Sequence, residues 1–319
     1  MPHTFDLLVV GDANPDVVLG PLDAPLAFDQ HEQLVPDGAL TLGGSAAIMA
    51  CGAARLGLRV AFAGRVGDDD AGRYVRDALT ARGVDTRALR VDPELPTPLT
   101  VVLTRAGAES DRAIVTAPGT LRATTPEDVP AGLLADARHV HAASYFLLPV
   151  LAAGLPGLLR TARAHGATTS LDTNDDPAGR WDPAGLAAVL PHTDYLLPNA
   201  AEARRLAGTA DLAEAAAALA GRGPVTVVKN GAEGALCHDG HTVTRAPALP
   251  ARPVDTVGAG DSFDAGFVAG LLAGLPLADT LELAAVCGAL STRAAGGTPA
   301  QPTWDEAYSL ITRERKNPA

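Results

Sequence analysis

The feature that most narrows what this chain can fold into is a repeated alternation: short apolar runs that end in glycine or a polar residue, each followed by a stretch with helical periodicity. Residues 5–11 (Phe-Asp-Leu-Leu-Val-Val-Gly) form such a run, the pattern of a strand covered on both faces. Gly43-Gly44 then introduces a small-residue helix to Leu56, with Ser45 as its expected cap and Gly57 as its stop. A strand is expected over 60–63 and an amphipathic helix over 71–82, closed by Gly83 and opened by the acidic run Asp68-Asp69-Asp70. The pattern recurs with strands over 139–142, 168–171, 195–197 and 225–228, and helices over 150–165, 200–206 and 212–220. Alternation of this kind predicts an α/β fold with a doubly wound parallel sheet.

Two stretches break the rhythm. Residues 17–42 hold scattered apolar positions among Gly20, Pro21, Pro25, Pro36 and Gly38, and 97–117 reads as two strands, 98–104 and 113–117, joined by a polar turn containing Gly107. Both are expected to project from the sheet as β insertions. After Val254 the chain turns mostly helical, over 260–272, 277–294 and 304–315. No internal repeat and no long linker appears, so residues 1–319 are expected to form one domain with a small β appendage.

Composition excludes several classes of partner. With 25 Lys+Arg against 37 Asp+Glu the net charge is −12, and no run of basic residues offsets it. Such a chain has no field to gather a polyanion, so neither nucleic acid nor an anionic membrane is an expected partner. Cys51, Cys237 and Cys287 lie far apart, without zinc-site spacing, and fit a reducing compartment. The first residues carry no basic n-region and no long apolar stretch, so a cytoplasmic location is expected. Arg dominates the cations, and Lys occurs only at Lys229 and Lys316. Coding bias explains the excess of Arg, but a lysine kept in that background has a compact charge that Arg cannot mimic.

The segment richest in chemistry is Asp255-Thr-Val-Gly258-Ala-Gly260-Asp261-Ser-Phe-Asp-Ala-Gly266. Gly258 and Gly260 allow a sharp turn into an apolar helix, whose free amides and positive dipole end suit an anion. Asp261 among those donors would repel a phosphate, so its plausible work is to accept a proton from an attacking hydroxyl. A Gly-rich turn capped by an Asp is the alternative. A dinucleotide fingerprint is ruled out by Phe263 at its third glycine position, and no GxxxxGK[ST] loop occurs.

With Gly43-Gly44 some 210 residues upstream, that segment resembles the paired signatures of the ribokinase-like (PfkB) carbohydrate kinases. The resemblance spans the chain: Gly11-x-x-Asn14-x-Asp16 after the first strand, the β insertions where the family has a lid (about 17–42 and 97–117), Asn199-Ala-Ala-Glu202, and Lys229-Asn-Gly231-Ala-Glu-Gly234. It implies a ribokinase-like fold and ATP-dependent phosphorylation of a hydroxyl on a small sugar or sugar derivative. On that reading Asp261 is the general base, and the amides of Gly258, Ala259 and Gly260 form the anion hole. Asn199 and Glu202 would hold the Mg²⁺-phosphate assembly through waters, although the same pair taken alone is a helix cap with its N3 acid.

Lys229, with Gly231 and Gly234, falls on the nucleotide loop, where many relatives carry Thr. It is expected to reach an ATP phosphate, with a salt bridge to Glu233 or another acid as the alternative. Asp255 and the carbonyls of Val257 and of residues 293–298 correspond to the family's monovalent-cation loop, which makes potassium activation a hypothesis. On the acceptor side, Asn14, Asp16, Gly43 and Gly44 match substrate-binding positions. Ile48 stands where many relatives have Asn, so a hydroxyl there would lack a partner, which argues against ribose and for a deoxy, keto or differently oriented substrate. Arg105 and Arg112 flank the turn of the second insertion; facing the pocket, they would favour an anionic substrate. His139 and His141 share a strand face near Ser144 and Tyr145, where packing is the better reading than metal binding. Asp172-x-Asn174 follows a strand and could touch substrate or Mg²⁺.

Two other functions fit the pattern less well. A nucleoside kinase needs an aromatic to stack a base, and Phe28 is the only one in 17–42. A non-catalytic sensor would have no need to retain Asp261, the glycines, Asn199, Glu202 and Lys229 together. A homodimer paired through the lid edges is expected from exposed strands.

Overall fold

The computed structural model describes residues 3–105 and 112–316, with backbone alone for 312–316. The strands are β1 (Phe5–Val10), β2 (Asn14–Leu22), β3 (Asp37–Gly43), β4 (Val60–Gly67), β5 (Asp85–Asp92), β6 (Leu99–Arg105), β7 (Arg112–Ala117), β8 (Ala137–Ala142), β9 (Thr168–Leu171), β10 (Tyr195–Leu196), β11 (Val225–Lys229), β12 (Ala235–His238) and β13 (Val243–Ala246). The helices are α1 (Ser45–Arg55), α2 (Asp70–Thr80), α3 (Ala131–Asp136), α4 (Pro149–Ala164), α5 (Pro183–Val189), α6 (Ala200–Ala207), α7 (Leu212–Ala220), α8 (Ala259–Leu272), α9 (Leu277–Ser291) and α10 (Trp304–Lys316).

Nine strands form one sheet in the order β13-β12-β11-β10-β9-β8-β1-β4-β5, parallel except for the antiparallel pairs β11·β12 and β12·β13. From Leu7 onward the side chains of β1 alternate between its faces as the pleat requires: Leu8 and Val10 pack with α3 to α7, while Leu7 and Val9 pack with α1, α2, α8, α9 and α10; Phe5, at the start of the strand, joins the first group. Helices therefore cover both faces, the doubly wound arrangement that near-continuous apolar strands require. The two β insertions pair with each other in a second sheet, ordered β3-β2-β6-β7, in which β2 lies parallel to β6. The turn expected around Gly107 lies outside the described residues.

Several elements differ from expectation for identifiable reasons. β5 is a polar edge strand (Asp-Thr-Arg-Ala-Leu-Arg-Val-Asp) whose outer side needs no apolar cover, so it carries no buried-strand signal. The antiparallel strands β12 and β13 are likewise short and mixed at the opposite edge. β4 runs on through Gly64 to Gly67, past the point where its apolar run stops. Ser45 does not cap α1 through its side chain: Gly44 is the cap residue, and the carboxylate of Asp12 accepts the amides of Ser45 (3.2 Å) and Ala46 (3.0 Å). The acidic run does open α2, where Asp69 accepts from Gly72 N at 2.7 Å.

Candidate active site

Asp12, Ser144, Asp172, Asn199 and Lys229 all lie at or just beyond the carboxyl ends of parallel strands, the edge where open α/β sheets place their ligand sites. The amino end of α8 meets them there. Gly258, its cap residue, has φ +72 and no side chain to close the helix end; a Cβ at this position would lie 2.6 Å from Gly297 Cα. Only glycine meets both conditions. The first helical hydrogen bond runs from Ser262 N to Gly258 O (2.9 Å). The amides of Gly260 and Asp261 belong to the first turn, where a helix supplies no acceptor of its own. Ala259 departs from expectation, because its amide donates back to Thr256 O at 3.3 Å and is engaged within the turn.

Asp261 is buried beside these donors. Burial pushes its carboxyl up to about 8, the negative charge of Asp172 adds to the rise, and Lys229 and the Ser45 hydroxyl oppose it. It is thus a carboxyl whose affinity for a proton has been raised towards neutral pH, as a general base requires.

Facing α8 is a hydrogen-bonded floor that sequence reasoning largely missed. Asn174 Nδ2 donates to Ser45 Oγ (2.7 Å), Asn174 Oδ1 accepts from Ser144 N (2.8 Å), and Asp172 Oδ1 accepts from Asn174 N (3.0 Å). Ser144 and Asn174 both hold left-handed backbone, φ 59 and 55. With Asp12 on the amides of α1, these residues lock the ends of β1, β8 and β9 to one another. Asp12 lies within the Gly11-x-x-Asn14 segment, but its role depends on an amide pair 33 and 34 residues away in sequence.

On the acceptor side, Asn14 Nδ2 donates to Asp16 Oδ1 (2.7 Å) and to Thr100 Oγ1 (3.1 Å), joining β2 to β6. Burial raises Asp16 to about 7; Asn14 and the charge of Arg112 oppose that rise, while Asp12 and Asp255 reinforce it. A Cβ on Gly43 would fall 2.0 Å from Asp16 Oδ1, so glycine at this position makes room for the carboxylate. Arg112 crosses from the small sheet towards the body, its Nη1 3.4 Å from Thr256 Oγ1 beside Asp255 and the α8 turn. Arg105 lies exposed on β6.

On the other side of α8, Asn199 and Glu202 satisfy each other. Asn199 Oδ1 accepts the amides of Ala201 and Glu202, and Glu202 Oε2 accepts Asn199 N at 2.8 Å, a full capping box. Burial raises the Glu202 carboxyl, with the charges of Asp172 and Asp175 adding to the effect. Gly231 and Gly234, φ 55 and 84, make the turn from β11 into β12. Asp255 ties two loops together, Oδ1 accepting from Val257 N (3.0 Å) and Oδ2 from Gly296 N (2.8 Å).

Residues 4–304 match the model of the pfkB family carbohydrate kinases. The chain belongs to that family. It is 34% identical over 296 residues to a fructokinase of Klebsiella pneumoniae, covering 87% of this chain and 95% of the relative. It is 30% identical over 290 residues to a 2-dehydro-3-deoxygluconokinase of Bacillus subtilis, covering 86% of this chain and 87% of the relative. Among solved structures, a ribokinase of Arabidopsis thaliana complexed with ribose and ATP superposes with a TM-score of 0.83 at 25% identity, over 98% of this chain and 99% of that one. The α/β fold with its small second sheet is therefore the ribokinase fold, and the protein is a sugar kinase, a phosphotransferase of the pfkB family.

Lys229 and Ile48 of this pfkB kinase have surroundings that the sequence does not show. Lys229 is not paired with Glu233 and is not directed at an open cleft: its Nζ donates to Asp172 Oδ2 at 2.6 Å and lies 3.1 and 3.2 Å from the two oxygens of Asp264. Ile48 is buried, its side chain packed against the places a Cβ would occupy on Gly258 (2.9 Å) and Gly297 (2.6 Å), so it buttresses the α8 turn. His139 and His141 are wholly buried. His139 bonds Thr168 Oγ1 and Ser170 Oγ (both 2.7 Å), His141 bonds Ser170 Oγ (2.7 Å), and burial drives both rings down, to about 3 and about 4, so they are neutral packing groups. Among the described residues no group of three or more His, Cys, Asp or Glu is arranged to hold a metal ion, and no helix is long and apolar enough to cross a membrane.

Proposed function

We propose that this kinase transfers the γ-phosphoryl group of ATP to a hydroxyl of a small sugar or sugar derivative, with Asp261 as general base. The observation that carries the reading is the buried Asp261 carboxylate in the first turn of α8, beside amides that no side chain caps. The substrate hydroxyl would give its proton to Asp261 as its oxygen bonds to phosphorus, and the bond from phosphorus to the ADP oxygen breaks. The amides of Gly260 and Asp261 and the positive end of α8 would then face the charge that builds on the phosphoryl oxygens. Asn14 and Asp16, fixed by Thr100 and given room by Gly43, would orient the acceptor from the opposite side.

The carboxylate of Glu202 and the amide oxygen of Asn199 are the hard donors that a hydrated Mg²⁺ takes, and they would hold it through waters. Bound there, the ion neutralises phosphate charge. Asp255 and the Val257 carbonyl would border a potassium site beside the α8 turn; equal rates in sodium-only and potassium buffers would reject that role. The small sheet would act as a lid that keeps water from the phosphoryl group. Its edge strands β3 and β7 are the surfaces through which two copies would pair.

The test is a coupled ADP-release assay over a panel of ketoses, aldoses, sugar acids and nucleosides, run with the wild type and with Asp261→Asn. On the best acceptor the variant should lose at least about 10²-fold in turnover, the scale of a missing general base. Near-normal turnover in the variant would sink the assignment, and nucleosides outrunning every sugar would move the acceptor class.

A further inference from the structure

Lys229 is one of two lysines in a chain whose other cations are all Arg, and its environment does not suit a nucleotide ligand. It ends β11 with only a tenth of its side chain exposed, against Asp172 at 4% and Asp264 at 1%. An ammonium has three N–H donors. One is given to Asp172 Oδ2 at 2.6 Å, and a second is shared between the two oxygens of Asp264 at 3.1 and 3.2 Å. Reaching out to a phosphate would strip the buried Asp172 carboxylate of its counter-ion, and Asp264, whose proton affinity burial raises, of a donor, a penalised state.

The partners show what the lysine holds together. Asp172 follows β9 and is fixed by its amide on Ala142 O (2.9 Å) and by the Asn174 amide on its Oδ1 (3.0 Å). Asp264 lies one helical turn beyond Asp261 on α8. The lysine stem runs beneath the first turn of that helix, so that a Cβ on Gly260 would lie 3.6 Å from Nζ. The Lys229 backbone is itself pinned next to the capping Asn199, through its amide on Pro198 O at 3.0 Å. One ammonium therefore joins β9, β11 and α8 directly under the amide cradle. A compact, rotatable point charge can meet two carboxylates from different directions at this depth, whereas a planar guanidinium would need far more room.

We propose that Lys229 is a positioning residue of the phosphoryl transfer and not a nucleotide ligand: by binding Asp172 and Asp264 at once, it sets the height and rotation of the first turn of α8, and with it Asp261 and the amides of the cradle. This rests on the reading of Asp261 as the base. It predicts that disturbing the triad slows the chemical step and leaves ATP recognition alone, because misplacing reacting groups lowers turnover without removing a contact to the nucleotide.

The experiment compares Lys229→Met, Asp264→Asn and the double variant, each checked for a single cooperative thermal transition, by steady-state kinetics with ATP varied at saturating acceptor. The expected result is a loss of about tenfold or more in kcat for each single variant, a KM for ATP within about twofold of wild type, and a double variant no worse than Lys229→Met, since either change cuts the same tie. Three results would overturn the proposal: a tenfold rise in the KM for ATP in Lys229→Met with none in Asp264→Asn, losses that multiply in the double variant, or kcat within twofold of wild type throughout. Should Lys229→Met fail to fold, Asp264→Asn, which keeps the buried ammonium paired with Asp172, carries the test through its own kcat and KM. Asp261→Asn run beside them separates the two ideas. If Asp261→Asn is inactive while Lys229→Met and Asp264→Asn match wild type, the positioning role alone falls; if Asp261→Asn turns over normally, the base assignment falls and the positioning role with it.

Discussion

The burial that prepares Asp261 for proton transfer has a cost to folding, and Asp261→Asn should reveal it as a gain in stability. In the unfolded chain an aspartate ionises near 3.9, whereas in the fold Asp261 holds its proton up to about 8. Between those values the native state binds more protons than the unfolded state, so this residue makes stability fall as pH rises, by about 1.4 kcal/mol for each pH unit. At pH 7 the penalty amounts to about 4 kcal/mol, an upper figure because water reaching the site relieves part of it. Asparagine is of nearly the same size and carries no titratable proton, so the variant escapes the penalty. For a chain of this length about 4 kcal/mol corresponds to roughly 5 °C in Tm. The assay is a pair of thermal melts of wild type and Asp261→Asn at pH 4 and at pH 7 to 8, without ligands. The two should differ little near pH 4, where the native carboxyl is protonated and the unfolded one only about half ionised, and separate as pH rises, the variant being the more stable. In the same pH range wild-type kcat/KM should climb as the base ionises, while the residual rate of the variant should stay flat. A variant that is less stable than wild type at pH 7, or a gap that does not change with pH, would refute the claim that desolvation sets this carboxyl.

Gly43→Ala should raise the KM for the acceptor at least about tenfold and leave the KM for ATP within about twofold, because a Cβ placed 2.0 Å from Asp16 Oδ1 must displace that carboxylate and touches nothing on the nucleotide side; steady-state kinetics with each substrate varied in turn decides it. Asn199→Ala removes the side-chain half of the α6 capping box and should lower stability by about 1 to 2 kcal/mol, read as a Tm lower by a few degrees, since it also strips the buried Glu202 of the Asn199 Nδ2 donor.

The fold was legible where local chemistry and final environment agree. β9 and α7 fall where the periodicity places them, and α8 begins one residue earlier, because the residues that bound them, Asp211 and Gly221 around α7 and Gly258 before α8, act locally. β5 escaped because an edge strand is stabilised by one neighbour's hydrogen bonds and can carry Arg87 and Arg90 outward, leaving little apolar pattern to read. The small sheet was visible as interruptions of the rhythm, whereas its strand order is set by long-range pairing, such as Asp16 beside Thr100, which no local window contains.

The site divides along the same line. Gly258 could be found because a left-handed cap before an apolar helix is a local necessity, and Asn199 with Glu202 because a capping box lies within four residues. Asp12 could not, since its purpose depends on Ser45 and Ala46 across a sheet crossover. For Ile48 and Lys229 a position in a motif says where each sits along the chain, and the contacts come from elsewhere. Ile48 packs against Gly297 from a distant loop, and Lys229 meets Asp172 and, from α8, Asp264. Asp264 stands three residues from Asp261 in the most informative segment of the sequence, and helical spacing alone places it one turn below the base. A buried acid at that point needs a hydrogen-bonding partner, and of the chain's two lysines Lys229 is the one at the end of a strand.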